Sequence, residues 1–514
     1  MTAQNQNMGI SKIEAVVLAI LLSIFFLSRL YALDADIPLW HLSHYSPIDE
    51  FYYTAFSFDL VEGRHAPDGK ILSSQYAAYN MLQQYITAGS LWLLGDNYYG
   101  LRTPSVLAGA LVLIAFYLLI LRRFGLYYAI AFSTLLMTEL SFTLASRIAE
   151  PTIFRMAAAA LLLLYITRTN FNTNKQIVAL GCLICLAWLF VYPTNAFLGL
   201  VGFGAIAISN RSAIIFKMRF YLAGVLLVIA LYLTCYFAQG NNIADLLTTK
   251  SIFSERVSSH DRNTLLEILA KLFAVRKAEF FVSHPYFLFA TIASLFFLSA
   301  LAAQQSKLVT KTDQIILLFT LCFLLQCAFI NDYPERKLVF ILPISLYLCC
   351  FSICFFLDKF KPRHASALSA SLVSILTYLF AAPTFSAIYT APAYNYKYAM
   401  RALSFLGQER IIGGWSYGFR LYNDYRPYLN QYTIIYTQPQ RYYQLLTEAG
   451  LRGEAPFTIE YGDAKSEQPL KNAGFTKKQI IFESNDPVYP DVYLYAFDGQ
   501  PTALEQRAES EASQ

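Results

Sequence analysis

The sequence predicts a polytopic α-helical membrane protein that carries a small α/β domain at its C-terminal end. Three observations support that reading. Hydrophobic residues make up 56% of the 514-residue chain and charged residues only 14%, whereas a soluble domain holds roughly 25% charged side chains. Apolar runs close to the ~20 residues that cross a bilayer recur from residue 13 to residue 389, and mean hydropathy is +0.42. Beyond residue 390 the pattern changes to short strand-like and helix-like stretches broken by Gly and Pro.

The apolar runs fall at 13–33, 104–121, 126–145, 152–167, 176–192, 194–209, 218–238, 284–303, 313–330, 338–357 and 366–389, about eleven transmembrane helices in all. The first has no small-residue cleavage site and is long enough to span, so it reads as a retained helix and not a cleaved signal. Basic residues then set an orientation. Arg122 and Arg123, Arg168 and Lys175, Arg211, Lys217 and Arg219, Lys307 and Lys311, and Lys359, Lys361 and Arg363 all fall in short loops on one side. The positive-inside rule makes that side cytoplasmic. The N-terminus is then inside, residues 1–390 form the membrane domain with outer loops at 34–103 and 239–283, and the C-terminal domain lies outside. The net charge of +5 follows from this asymmetry and implies no nucleic-acid partner.

In the tail, Arg410–Gly413, Tyr432–Tyr436, Phe457–Tyr461, Gln479–Glu483 and Asp491–Phe497 read as strands. Tyr396–Leu406, Gln440–Ala449 and Ser466–Asn472 read as helices. Residues 391–502 therefore form the extracytoplasmic α/β domain, and 503–514 are a polar, acidic, disordered tail. All eight cysteines fall inside apolar runs and read as small core residues. The Cys182–Cys185 pair has the C-x-x-C spacing but no matching second pair.

Every unusual polar cluster lands on the outer side. Asp49 and Glu50 stand among aromatics in Pro47-Ile48-Asp49-Glu50-Phe51-Tyr52-Tyr53, where a carboxylate can serve as general base or as a solvated loop acid. Ser146-Arg147-Ile148-Ala149-Glu150-Pro151 offers Arg147 to a phosphate and Glu150 to an acceptor. It reads equally as an ion pair in a tight turn with Pro151 opening a helix. Asn331-Asp332-Tyr333-Pro334-Glu335-Arg336-Lys337 brings Arg336 and Lys337 to the membrane surface, as phosphate ligands or as snorkelling charges. Glu255, Arg256, His260, Asp261 and Arg262 cluster in the loop 239–283, but His260 lacks a second ligand at metal-like spacing.

The order of these features resembles the GT-C class of integral-membrane glycosyltransferases. Asp49-Glu50 with Tyr52-Tyr53, then Gly95-Asp96-Asn97-Tyr98-Tyr99-Gly100-Leu101-Arg102-Thr103-Pro104-Ser105, then Ser146-Arg147-x-x-Glu150-Pro151 are most similar to its protein O-mannosyltransferase and aminoarabinose (lipid A) transferase branch. The resemblance implies a GT-C-like fold and a polyprenyl-phosphate sugar donor. It further implies transfer on the outer face with inversion. It implies Asp49 as catalytic base with Glu50 its neighbour, Glu150 as a second acid where Asp is commoner, and Arg102 and Arg336 as donor-phosphate contacts. Where the class often has Lys or His before Pro, this chain has Gln75-Tyr76-Ala77-Ala78-Tyr79-Asn80, so Lys70 is the substitute cation.

The expected function is transfer of one sugar from a polyprenyl-phosphate donor to a lipid, glycan or protein acceptor, with Arg102, Arg147, Arg336, Lys337 and Lys70 around the phosphate. No cofactor is certain, and a divalent cation such as Mg or Mn is left open. The compact loops favour a bacterial inner membrane, with membrane lipids as the surroundings. Two alternatives stand beside this reading: a transporter or flippase of lipid-linked sugars, for which no internal repeat is visible, and a membrane scaffold presenting its C-terminal domain.

Overall fold

The computed structural model describes residues 10–35, 47–64, 74–209, 214–243, 284–329, 339–360, 365–386, 395–403, 406, 410–412, 421, 426–427, 439–452, 457–461, 467–483 and 492–498. The clusters at 255–262 and 331–337, Lys70, the strand expected at 432–436 and the tail 503–514 lie outside these residues.

Helix α1 (Lys12–Leu30) opens on a capping box, in which the Ser11 amide donates to the Glu14 carboxylate at 2.7 Å and the Glu14 amide returns a bond to the Ser11 hydroxyl. After it come α2 (Pro47–Val61), α3 (Ser74–Leu94), α4 (Tyr98–Phe124), α5 (Leu126–Thr138), the short α6 (Leu140–Ala145), α7 (Pro151–Arg168) and α8 (Asn174–Leu186). A π-helical turn (Ala187–Val191) and a 3-10 turn (Pro193–Phe197) lead into α9 (Leu198–Ser209) and α10 (Ile214–Ala238). Then follow α11 (Pro285–Ala303), α12 (Lys311–Phe329), α13 (Ile341–Phe360) and α14 (Ala365–Thr384). Among the described residues six helices are long and apolar enough to cross a membrane, with four shorter apolar helices beside them. The chain is an integral membrane protein.

Two expectations change. The stretch 34–103, read as one long loop, holds α2, α3 and the start of α4. Its helices were hidden because they meet through polar side chains. The Ser57 hydroxyl and amide both bond Gln84, Asn80 donates to the Tyr53 carbonyl, and Gln84 donates to the same carbonyl. A helix whose buried face is polar carries no hydropathy signal. The run 126–145 is broken at Glu139, whose extended backbone and buried carboxylate cap α6 through the Phe142 amide at 2.8 Å.

One large hydrophobic core joins α1, α4, α5, α7 and the later helices. Helices α8 and α10 pack at backbone distance. A Cβ on Gly181 would stand 2.2 Å from the Tyr221 carbonyl oxygen, and one on Gly224 2.2 Å from that of Val178, so only glycine permits the approach. At one end of the bundle, hereafter the basic end, the Arg123 guanidinium straddles Asp313 at 3.0 and 3.1 Å. The Tyr347 hydroxyl and the Thr310 amide complete the carboxylate's shell at 2.7 Å each. Lys311 donates to the Thr169 carbonyl and Lys217 to that of Phe171, so several of the basic residues that set the orientation gather there.

The C-terminal part contains α15 (Asn395–Ala402), β1 (Arg410–Ile412), β2 (Arg426–Pro427), α16 (Pro439–Leu451), β3 (Phe457–Tyr461), α17 (Glu467–Asn472), β4 (Phe475–Phe482) and β5 (Val492–Phe497). The sheet order is β2-β1-β3-β5-β4, parallel from β2 to β3 and antiparallel thereafter. Period-two alternation divides β5 between two cores. Tyr495 and Phe497 face α16 and α17. Val492, Leu494 and Ala496 join Phe457 and Ile459 in a second core whose other wall is Phe51, Ala55 and Phe58 of α2. The domain is thus sealed onto the membrane bundle through α2.

A shared core makes the two parts unfold together. Phe58→Ala on α2 and Leu494→Ala on β5 each remove a side chain about 2% exposed and are expected to cost about 2–5 kcal/mol. In thermal unfolding monitored separately on the domain and the bundle, both variants should lower one common transition. Two transitions that respond to one variant each would refute the shared core.

Candidate functional site

Opposite the basic end, the Asp49–Glu50 motif and the Ser146–Pro151 turn meet at one buried ion pair. Glu50, in the first turn of α2 and 1% exposed, accepts from Arg102 on α4 in a two-pronged contact, Nε to Oε1 at 2.8 Å and Nη2 to Oε2 at 2.6 Å. Its Oε1 also accepts the Ala149 amide at 2.8 Å. The Arg102 Nη1 reaches across to the carbonyls of Leu33 at 2.7 Å and Ala35 at 2.6 Å, and its guanidinium carbon lies 4.1 Å from the centre of the Tyr98 ring. This planar fork matches a carboxylate as an ammonium cannot. One pair therefore fastens the end of α1, the start of α2, α4 and the turn before α7.

That turn is held from two sides. The Ala149 amide goes to Glu50, and its carbonyl accepts from Gln83 of α3 at 3.1 Å. The next residue, Glu150, is 1% exposed and stands at the N-cap position of α7 ahead of Pro151. Its Oε2 accepts from the Thr152 hydroxyl at 3.3 Å. Asp49 precedes Glu50 in the first turn of α2, and its side chain lies outside the described residues, as do Lys70, Arg336 and Lys337.

Arg147 makes a third fastening. Its Nη1 donates to the carbonyls of Arg29 at 2.9 Å and Tyr31 at 2.8 Å, and its Nη2 to that of Ala32 at 2.6 Å. A helix leaves its last four carbonyls without intrahelical donors; Arg147 serves Ser28 and Arg29 in the last turn of α1 and the two carbonyls just beyond the helix. The chain turns there through Ala32 at φ 45°, a left-handed conformation that alanine seldom adopts. Arg29 completes the set, donating to the Ser146 hydroxyl at 2.8 Å and the Met137 carbonyl at 2.7 Å. Arg102 and Arg147, both expected at a donor phosphate, thus bind Glu50 and the chain's own carbonyls.

Arg155 escaped the sequence reading. It lies five residues beyond Glu150 on α7, is fully buried, and stacks between the Tyr192 ring at 5.2 Å and the Phe340 ring at 4.9 Å. Tyr192 is the extended residue between the π and 3-10 turns, so a buried cation faces a broken helix. The signal was present: an arginine inside the apolar run 152–167 is a functional candidate by default. Among the described residues no group of three or more His, Cys, Asp or Glu is arranged to hold a metal ion.

No protein-family model matches the sequence, and no curated protein matches it. Solved structures do. ArnT from Cupriavidus metallidurans bound to undecaprenyl phosphate aligns with a TM-score of 0.59 and 10% identity, over 93% of this chain and 97% of that one. The same protein in the apo state gives 0.57 and 11% over the same shares. The oligosaccharyltransferase AglB from Archaeoglobus fulgidus, in complex with an inhibitory peptide and a dolichol-phosphate, gives 0.47 and 12% over 95% and 74%. ArnT is a GT-C glycosyltransferase, and agreement along nearly the whole of both chains leads to one conclusion: this chain has the GT-C fold.

Proposed function

We propose that the protein is a glycosyltransferase that moves one sugar from a polyprenyl-phosphate carrier to a lipid, glycan or protein acceptor, at the end of the bundle holding Glu50 and Glu150. The observation that carries this reading is the Glu50–Arg102 pair. It brings the Asp49–Glu50 motif and the Glu150 turn, ninety-nine residues apart at the Glu50–Ala149 bond, into one place. Asp49 is the general base. It takes the proton of an acceptor hydroxyl or amine as that atom bonds to the anomeric carbon, and the departing bond's electrons pass to the lipid phosphate. Attack opposite the leaving group inverts the anomeric centre.

In this reading Glu50, Arg102 and Arg147 hold the acids in place, which leaves the leaving phosphate to Arg336, Lys337 and Lys70. An apolar cavity of about 380 Å³ supports a lipid-linked substrate. It is bordered by Leu82 and Ile86 of α3, Leu107 and Leu111 of α4, and Phe154 and Leu161 of α7. Phe154 stands one turn below Glu150, so a hydrocarbon chain there would carry its head group towards the acids. The fold of ArnT, solved with undecaprenyl phosphate, agrees with such a donor. The side on which this chemistry occurs is the extracytoplasmic one by the charge of the opposite loops, in a bacterial inner membrane.

A second reading, transport of the lipid-linked sugar, draws on the broken helix at Tyr192 beside the buried Arg155, because interrupted helices line transporter sites. One experiment separates the two. Purified protein is given a panel of short-chain polyprenyl-phosphate sugars beside its Asp49→Asn variant. The transferase reading expects turnover that falls at least about a hundredfold in the variant, with folding kept. Donor movement across liposomes without turnover would replace it by transport.

The role given to Glu50 has its own test. Glu50→Gln strands a buried guanidinium and is expected to cost roughly 3–5 kcal/mol of stability. The double variant Glu50→Gln, Arg102→Met should recover much of that loss in thermal unfolding, and a double variant no better than the single one would show that the pair is not coupled.

A further inference from the structure

Asp34, in the described part of the segment between α1 and α2, carries a charge that the site does not use. Asp34 stands between Leu33 and Ala35, the two residues whose carbonyls Arg102 grips at 2.7 and 2.6 Å. Its carboxylate pairs with Lys397, in the first turn of α15, and each side chain is 18% exposed. Lys397 belongs to the C-terminal domain, and Arg102 is the partner of Glu50. A continuous run of polar contacts therefore leads from the domain to the acids: Lys397 to Asp34, the flanking carbonyls to Arg102, Arg102 to Glu50, and Glu50 to the Ala149 amide beside Glu150.

The apolar contacts follow the same route. The face of the sheet formed by β3 and β5 packs on Phe51 and Phe58, on the helix whose first turn holds Asp49 and Glu50. Met400 and Leu403, one and two turns beyond Lys397, lie in that core fully buried. The strap 33–35 is thus fixed from within the bundle by Arg102 and from the domain by Lys397, and a shift of α15 is transmitted to the residues on which Arg102 is seated.

We propose that Lys397 and Asp34 form a latch through which the C-terminal domain holds the acid-bearing end of α2 in register, which makes Lys397 a positioning residue of the reaction. As a claim about catalysis it rests on the transferase reading above. As a claim about mechanics it stands without it. The domain is then part of the site's frame, and its β3–β5 face is occupied by α2 and closed to an acceptor.

The test uses full-length protein in detergent, with hydrogen exchange of the α2 amides and steady-state transfer measured side by side. Lys397→Met removes the charge and keeps the aliphatic stem. A partly exposed ion pair is worth a factor of roughly two to five. Exchange along residues 47–61 is expected to quicken by about that factor, and kcat to fall by about the same factor with KM for a short-chain donor unchanged. The charge reversal Asp34→Lys, Lys397→Asp should restore both. Wild-type exchange and wild-type kcat in Lys397→Met would overturn the latch, as would loosening confined to the domain with α2 unmoved. Loosening that the reversal pair fails to repair would overturn the ion pair as the link. If α2 loosens as expected while the wild type turns over none of the donors, the latch holds and the transferase reading falls.

Discussion

The architecture at the acid end depends on the cost of burying charge. An unpaired carboxylate or guanidinium in a low-dielectric interior carries a penalty of several kcal/mol, and attraction offsets it only when geometry is good and the remaining hydrogen-bond capacity is filled. Glu50 and Arg102 meet that condition by recruiting everything near them: the Ala149 amide for the carboxylate, and the Leu33 and Ala35 carbonyls for the guanidinium. Each recruited group belongs to a different part of the chain. Satisfying one ion pair therefore fixes α1, α2, α4 and the entry to α7 relative to each other. Arg147 and Arg29 extend the same solution to the carbonyls at the end of α1 and to the Met137 and Ser146 turn.

At the basic end the same chemistry is arranged around a carboxylate. Asp313 accepts from Arg123, Tyr347 and Thr310 and so ties α4, α12 and α13. Helix α4 takes part in both fastenings, through Arg102 near its start and Arg123 near its end. With 27 residues it is about 40 Å long, and 19 of them are buried. It serves as the axis to which both ends of the bundle are referred.

Much of the fold was legible in the sequence because spans and strands are read from periodicity and length. The β3 bounds expected at Phe457–Tyr461 and the helix expected at Gln440–Ala449 agree with the structure. Helices α2 and α3 were not legible, since their contact runs through Ser57, Asn80 and Gln84, and a polar interface looks like a loop to hydropathy. The break at Glu139 was missed because one acid in twenty apolar residues hardly changes their mean. At the site, sequence singled out Glu50, Arg102 and Arg147 but not the partners they have in the fold. An arginine beside a membrane surface is equally suited to a phosphate, a carboxylate and a row of carbonyls, and only the fold shows that Arg102 binds Glu50 and that both Arg102 and Arg147 bind the chain's own carbonyls. Arg155 had a signal in the sequence, as a cation inside a span, and was absorbed into the span's average.

The core shared by α2 and the sheet also has a consequence in time. Phe51 and Phe58 are made some 440 residues before the strand that covers them, Val492–Phe497. At the usual 5–20 residues per second the interval of some 440 residues is on the order of 20–90 s. Throughout it the apolar side of α2 lacks its final cover, so a ribosome-bound chain exposes a sticky surface next to the membrane. Any nascent chain stopped before β5 keeps that surface, which gives cellular quality control a direct mark of incompleteness. The shared core is for that reason completed late, when β5 docks over a helix made long before it.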